Sequence, residues 1–102
     1  MPLSYMEFNI KLFGINSLKE KRSIVKRLIS DLKKRFNISV IENDLQDSKQ
    51  YINLAISFVS INKSSAYKTM ESLENYIESL YNVENVIKEV YDWYIRILQK
   101  LN

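Results

Sequence analysis

From Tyr5 to Leu12 the chain alternates, with Met6, Phe8, Ile10 and Leu12 set against Tyr5, Glu7, Asn9 and Lys11. A period of two predicts a strand with one buried face. After a short loop, Phe13 to Asn16, holding Gly14, the period changes. Leu18, Ile24, Val25, Leu28, Ile29, Leu32 and Phe36 recur at helical spacing. At about 100° per residue they share one arc, which predicts an amphipathic helix over Leu18–Arg35. Ser17-Leu-Lys-Glu20 in front of it reads as a capping box, with Ser17 accepting from the Glu20 amide and Glu20 reaching back to that of Ser17. Asn37 is a plausible left-handed stop. A β-branched run, Ile38–Ile41, precedes a polar, turn-rich segment from Glu42 to Lys49. Ile52, Leu54, Ile56 and Phe58 then alternate with Tyr51, Asn53, Ala55, Ser57 and Val59, a second clear strand.

Asn62 to Ser65 offers capping residues for a second helix, whose stripe is Ala66, Met70, Leu73, Ile77 and Leu80, ended by Asn82. Val83 to Leu98 has strand-like density in Val, Ile, Tyr and Trp. Its last part, 94–101, also fits a helix, because Tyr94, Leu98 and Leu101 share a helical face. The order is β-α-β-β-α-β. It predicts an α+β, ferredoxin-like domain over 1–102: a four-stranded antiparallel sheet with two helices on one face.

Composition removes most enzyme chemistry. The 102 residues include no Cys and no His, with one Gly and one Pro. Thiolate nucleophiles, histidine acid–base pairs, zinc sites and Gly-rich phosphate loops are thereby excluded. No cofactor, small-molecule substrate or enzymatic activity is expected. No apolar run approaches a membrane span, the start has no signal-peptide pattern, and the absence of Cys fits a reducing compartment. A cytoplasmic protein with no membrane contact is the expectation.

Ser17-Leu-Lys-Glu-Lys-Arg-Ser23, followed by Arg35-Phe-Asn-Ile-Ser-Val40, Glu42 and Asp44-Leu-Gln-Asp47, resembles the YlxP-like family of small bacterial proteins. The likeness runs from about the first strand through the second helix. It implies a ferredoxin-like domain of unknown function, whose members are often encoded near transcription, translation and ribosome-maturation factors. The chain departs from the pattern twice: Leu45 stands where the family usually has His, and Lys49 lies near the place of a family Trp.

Charge is unevenly placed. The net charge is +3, yet Ser17–Arg35 holds eight Lys or Arg and two acids, so the first helix carries +6 and the remainder −3. Lys19, Arg22, Lys26, Arg27, Lys33 and Lys34 occupy the arc opposite the apolar stripe. Asp31 is spaced to pair with Arg27 and Arg35. Glu71, Glu74 and Glu78 line the outer face of the second helix. A helix about 27 Å long with such a face can follow a nucleic-acid backbone. Lys19, Arg22, Lys26, Lys33 and Lys34 are the candidate phosphate contacts, with RNA or a ribosomal subunit as the partner. A solvated face chosen for solubility explains the same residues, and docking of acidic on basic helices between subunits is a third reading. Lys21 falls inside the apolar arc, where snorkelling of its head to water is the simpler account and a cation fixed beside the Gly14 loop the functional one.

Glu42, Asp44 and Asp47 form the one carboxylate cluster. Their spacing matches no calcium loop, so no metal is expected there. On the open sheet face Tyr5 and Tyr51 are placed to stack bases, although the aromatic signature of RNA-recognition domains is missing. Finally, Tyr91, Trp93, Tyr94, Ile95, Ile97 and Leu98 exceed what one strand's inner face buries. They predict a homodimer or larger assembly through the tail. The chain thus reads as a non-enzymatic RNA- or ribosome-associated accessory protein, or alternatively as a homo-oligomeric protein-interaction module.

Overall fold

The computed structural model describes residues 1–92. Six elements follow the expected order: β1 Leu3–Lys11, α1 Leu18–Arg35, β2 Ser39–Asp44, β3 Tyr51–Val59, α2 Lys63–Leu80 and β4 Asn82–Tyr91. The strands lie in the order β2-β3-β1-β4, and every pairing is antiparallel. This is the ferredoxin-like α+β arrangement. The alternating strands β1 and β3 take the centre, in register from Leu3 opposite Val59 to Lys11 opposite Tyr51.

The periodicities account for the core. Met6, Phe8 and Ile10 of β1 and Ile52, Leu54 and Ile56 of β3 point to one face and are buried. Val25, Leu28 and Leu32 of α1 and Met70, Leu73 and Ile77 of α2 cover them. Each such side chain contributes about 1.5–3 kcal/mol by leaving water, so the two stripes bind the helices to the sheet. α1 lies over β2, and α2 over β4 and β1.

Several boundaries differ from the sequence expectation. Asn37 is not left-handed: the helix ends at an extended Phe36 (φ −131°), whose N–H donates to the Leu32 carbonyl at 2.9 Å. The half-buried Phe36 ring packs on the core and sits 6.2 Å from the Tyr76 ring, so packing makes the stop. β2 continues to Asp44, because Glu42 pairs opposite Leu54 and Asp44 opposite Asn53, with Asn43 bulged between them. Leu80 is 52% exposed. As the last residue of α2 it overhangs the core that Ile77 still reaches. The fourth strand stops at Tyr91. The question of strand or helix at 94–101 lies outside the described residues, as do Trp93, Tyr94, Ile95, Ile97 and Leu98 of the expected oligomer contact; Tyr91 is described and is 53% exposed.

Candidate nucleic-acid interface

The candidate surface is built on α1. Ser17 caps it as expected, its Oγ accepting from the Glu20 amide at 3.1 Å. The return bond closes one residue earlier, with Asn16 N–H donating to Glu20 Oε2 at 3.2 Å. The first bond satisfies an amide that a helix start leaves orphaned, and the second ties down the residue before the cap. Lys33, Lys34 and Arg35 fill the last turn, where the helix dipole favours cations. Lys19 stands in the first turn, where the same dipole disfavours them. Helix stability therefore explains the distal cations and not Lys19.

Lys19, Arg22, Lys26, Arg27, Lys33 and Lys34 are all exposed. At 100° per residue they span an arc of about 140°. Among the described residues none of the six lies within ion-pair distance of a carboxylate. The expected Asp31 pairing forms with Arg35 alone, Nε to Oδ1 at 3.2 Å. Asp31 Oδ2 instead accepts from the Tyr76 hydroxyl of α2, and the Arg35 guanidinium lies 4.4 Å from the Tyr76 ring centroid. The Tyr76 hydrogen bond, aided by Arg35 and Lys34, holds the Asp31 carboxyl below its ordinary value. Its counterpart pushes the Tyr76 hydroxyl up. The single acid on the distal half of α1 is thus occupied, and it leaves the remaining cations free.

The acidic counterpart on α2 is smaller than its sequence suggests. Glu74 reaches Lys88 of β4 at 2.7 Å and is half-buried, while Glu71 and Glu78 remain exposed.

Lys21 departs from both expectations. Its side chain is fully buried and its Nζ lies 2.6 Å from Glu42 Oε2. It also donates to the Leu45 carbonyl at 2.9 Å and that of Gln46 at 3.4 Å. No snorkelling occurs, because the ammonium finds its acceptors inside the protein. Glu42 faces it because its register partner, Leu54, is a core residue, which turns the carboxylate toward the helix layer. The cation is fixed at the β2–β3 turn, and it joins α1 to that hairpin. Leu45 holds a left-handed conformation there (φ 59°). What position 45 gives this contact is its carbonyl, which a change of side chain leaves in place.

The other carboxylates of the loop are separate. Asp44 Oδ1 accepts from the Leu45 amide at 2.8 Å, and no metal-binding group of three acids occurs among the described residues. On the open sheet face Tyr5 and Tyr51 sit six residue pairs apart, about 20 Å at strand spacing, too far to form one two-base platform. The Tyr5 hydroxyl donates to Glu7 at 2.5 Å. That bond, with burial and the nearby Glu7 and Glu89 carboxylates, pushes its pKa up to about 12. Two carboxylates beside Tyr5 oppose a phosphate chain on that face. An amide row crosses the sheet instead: Asn43 Nδ2 donates to Asn53 Oδ1 at 3.1 Å, and Asn53 Nδ2 to Asn9 Oδ1 at 2.7 Å. The row buries Asn53 to 6% exposure and went unseen in the sequence, where the Asn43 bulge has no signature. Lys21, by contrast, was marked by its place in the apolar arc.

Residues 3–90 match the model of the family described as "Protein of unknown function (DUF503)". The chain belongs to this family. It is also 27% identical over 92 residues to the protein named "Uncharacterized protein YlxP" of Bacillus subtilis (strain 168), a match that covers 90% of this chain and 99% of the relative. The YlxP-like resemblance read from Ser17–Ser23 and Arg35–Val40 is borne out. Neither description names an activity. No described helix is long and apolar enough to cross a membrane.

Proposed function

We propose that this protein is a non-enzymatic, cytoplasmic accessory protein that associates with RNA or a ribosomal subunit through α1. The supporting observation is the exposed cationic face of Lys19, Arg22, Lys26, Lys33 and Lys34, none of which makes an ion pair among the described residues. Contacts of this kind go to phosphates and read little sequence. The genomic company implied by the YlxP-like resemblance points the same way. Five phosphate contacts on a single strand give a slope of log affinity against log salt of about −3.5. Affinity should then fall about a hundredfold between 50 and 200 mM salt. Binding to ribosomal subunits and total RNA across that series tests the reading. The steep slope should appear in the natural protein and flatten with Arg22→Glu and Lys26→Glu together. Flat, negligible binding by the natural protein refutes it.

A second reading, a homo-oligomeric protein-interaction module, draws on a different face. Ile41, Val59, Ile87 and Tyr91 are exposed, at 56%, 62%, 40% and 53%, and their register places them on the sheet side away from the helices. Among the described residues β4 is the outermost strand on its side of the sheet, and a strand edge invites pairing. Light scattering decides it: a dimer that a cut after Asp92 converts to a monomer supports this reading, and a monomeric full chain refutes it.

A further inference from the structure

The sheet side away from the helices is apolar and acidic at once. One cross-strand row joins Ile41, Ala55, Glu7 and Ile87 across all four strands. In the next, Tyr5 stands between Ser57 and Glu89, and at the rim Leu3 stands between Val59 and Tyr91. Ile41, Val59 and Tyr91 are each more than half exposed. The patch measures about 14 Å across the strands and about 13 Å along them, and exposed apolar surface of this kind marks a contact.

Charge narrows what can cover it. The three rows contain two carboxylates, Glu7 and Glu89, and no Lys or Arg. Each carboxylate accepts from a tyrosine hydroxyl, Tyr5 and Tyr91 respectively, and neither makes an ion pair among the described residues. The matching occupant is apolar and cationic. A second copy presenting the same face across a two-fold axis brings two carboxylates against two more, which repel.

The chain itself supplies a segment of the matching chemistry. Residues 93–102, outside the described residues, include six large apolar side chains, with Arg96 and Lys100 and no acid. The described chain reaches Asp92 one residue past Tyr91, at the rim of the patch. Coiled as a helix, ten residues measure about 15 Å, and extended about 33 Å, so in either form they cross the sheet. The long stems of Arg96 and Lys100 can bring their charges to the border of an apolar contact. A segment tethered this closely acts at an effective concentration of about a millimolar.

We infer that residues 93–102 fold back over the open sheet face of their own chain, their apolar side chains against Leu3, Ile41, Val59 and Tyr91 and their cations toward Glu7 and Glu89. This is the face that the oligomeric reading gives to a second copy. α1 lies on the opposite side of the sheet, so its cations stay open for the RNA reading, which neither supports nor needs this contact.

The protein has no Cys, so Gln99→Cys gives a single site for a nitroxide spin label in the full chain. In a ¹⁵N-labelled sample the label should broaden the amide signals of Ile41, Ala55 and Ser57 and leave those of Lys26 and Lys34 sharp. Asn102→Cys, at a second polar position, should give the same pattern. Arg96→Glu with Lys100→Glu should abolish the broadening, shift the emission of Trp93 to longer wavelength and leave the remaining amide signals in place. In a mixture of spin-labelled ¹⁴N chains with ¹⁵N chains that carry no label, the signals should stay sharp. Broadening in that mixture overturns the inference and favours the oligomeric reading, because the tail then lies on a second copy. Sharp Ile41 and Ala55 signals with the label at either site overturn it as well.

Discussion

Replacing Lys21 by Met should cost this protein about 3 kcal/mol, the lower end of what breaking a buried ion pair costs. The lower end applies because Glu42 keeps 16% side-chain exposure while Lys21 has none, so water partly relieves the carboxylate left behind. Met retains most of the stem volume, which keeps the cavity contribution small. The loss therefore comes from an abandoned carboxylate and from two carbonyls, of Leu45 and Gln46, that lose their donor. In urea, with a slope near 1.5 kcal/mol per molar, the midpoint should fall by about 2 M. The melting temperature should fall by about 15 °C. Glu42→Gln added to Lys21→Met removes the stranded charge, so the double variant should be more stable than the two single losses added together predict. Additive losses, or a Lys21→Met midpoint within about 0.5 kcal/mol of the natural protein, would refute the claim that the pair is what holds the hairpin to the helix.

Two further outcomes follow from local geometry. Leu45→Gly should raise stability by about 0.5 kcal/mol: it relieves about 1–2 kcal/mol of left-handed strain and adds up to about 1 kcal/mol of backbone freedom in the unfolded chain; urea unfolding reads the sign, and a loss would show that the side chain matters. Tyr76→Phe should return the Asp31 carboxyl toward its ordinary value of 3.8, followed by NMR titration. Because the folded value is the lower one, this bond stabilises fully above the ordinary pKa and is lost as pH falls through the folded value. The stability gap between the natural protein and Tyr76→Phe should thus narrow in that acid window, and a gap constant with pH would contradict it.

The fold was legible because its signals were periodic. β1 and β3 announce themselves by strict alternation, and the two helical stripes match the two strand faces they cover. What the pattern missed depends on tertiary contact. The end of α1 is decided by where the Phe36 ring lodges, and no local rule reports that. β2 runs through residues that look like a turn, because pairing with β3 outweighs their composition. The candidate interface was half legible. Counting charges found the cations, and the helical wheel aligned them. Which of them stay free depends on partners brought from afar, Tyr76 from α2 for Asp31 and Glu42 from β2 for Lys21. The exposure of Leu80 was hidden because Leu80 fits the core stripe by spacing, and only the end of α2 leaves it outside.

Lys19 and Lys21 share the first turn of α1 and have opposite physical roles. Their side chains point about 160° away from each other on the helix wheel, so Lys19 meets solvent while Lys21 enters the protein and is neutralised by Glu42. The +6 carried by the sequence of α1 overstates the charge a polyanion would meet. Lys21 is cancelled inside the fold, and Arg35 is held by Asp31 and stacked on Tyr76. What remains is a face whose free cations stand on a helix tethered at both ends: to the β2–β3 turn by the Lys21 contact near its start, and to α2 by the Asp31–Tyr76–Arg35 cluster near its finish. On so fixed a support the backbone loses little freedom when the face meets a phosphate chain, and the ordering cost falls on the exposed side chains alone. In the proposed reading that economy serves binding, whereas for a merely solvated face the two tethers serve the fold alone.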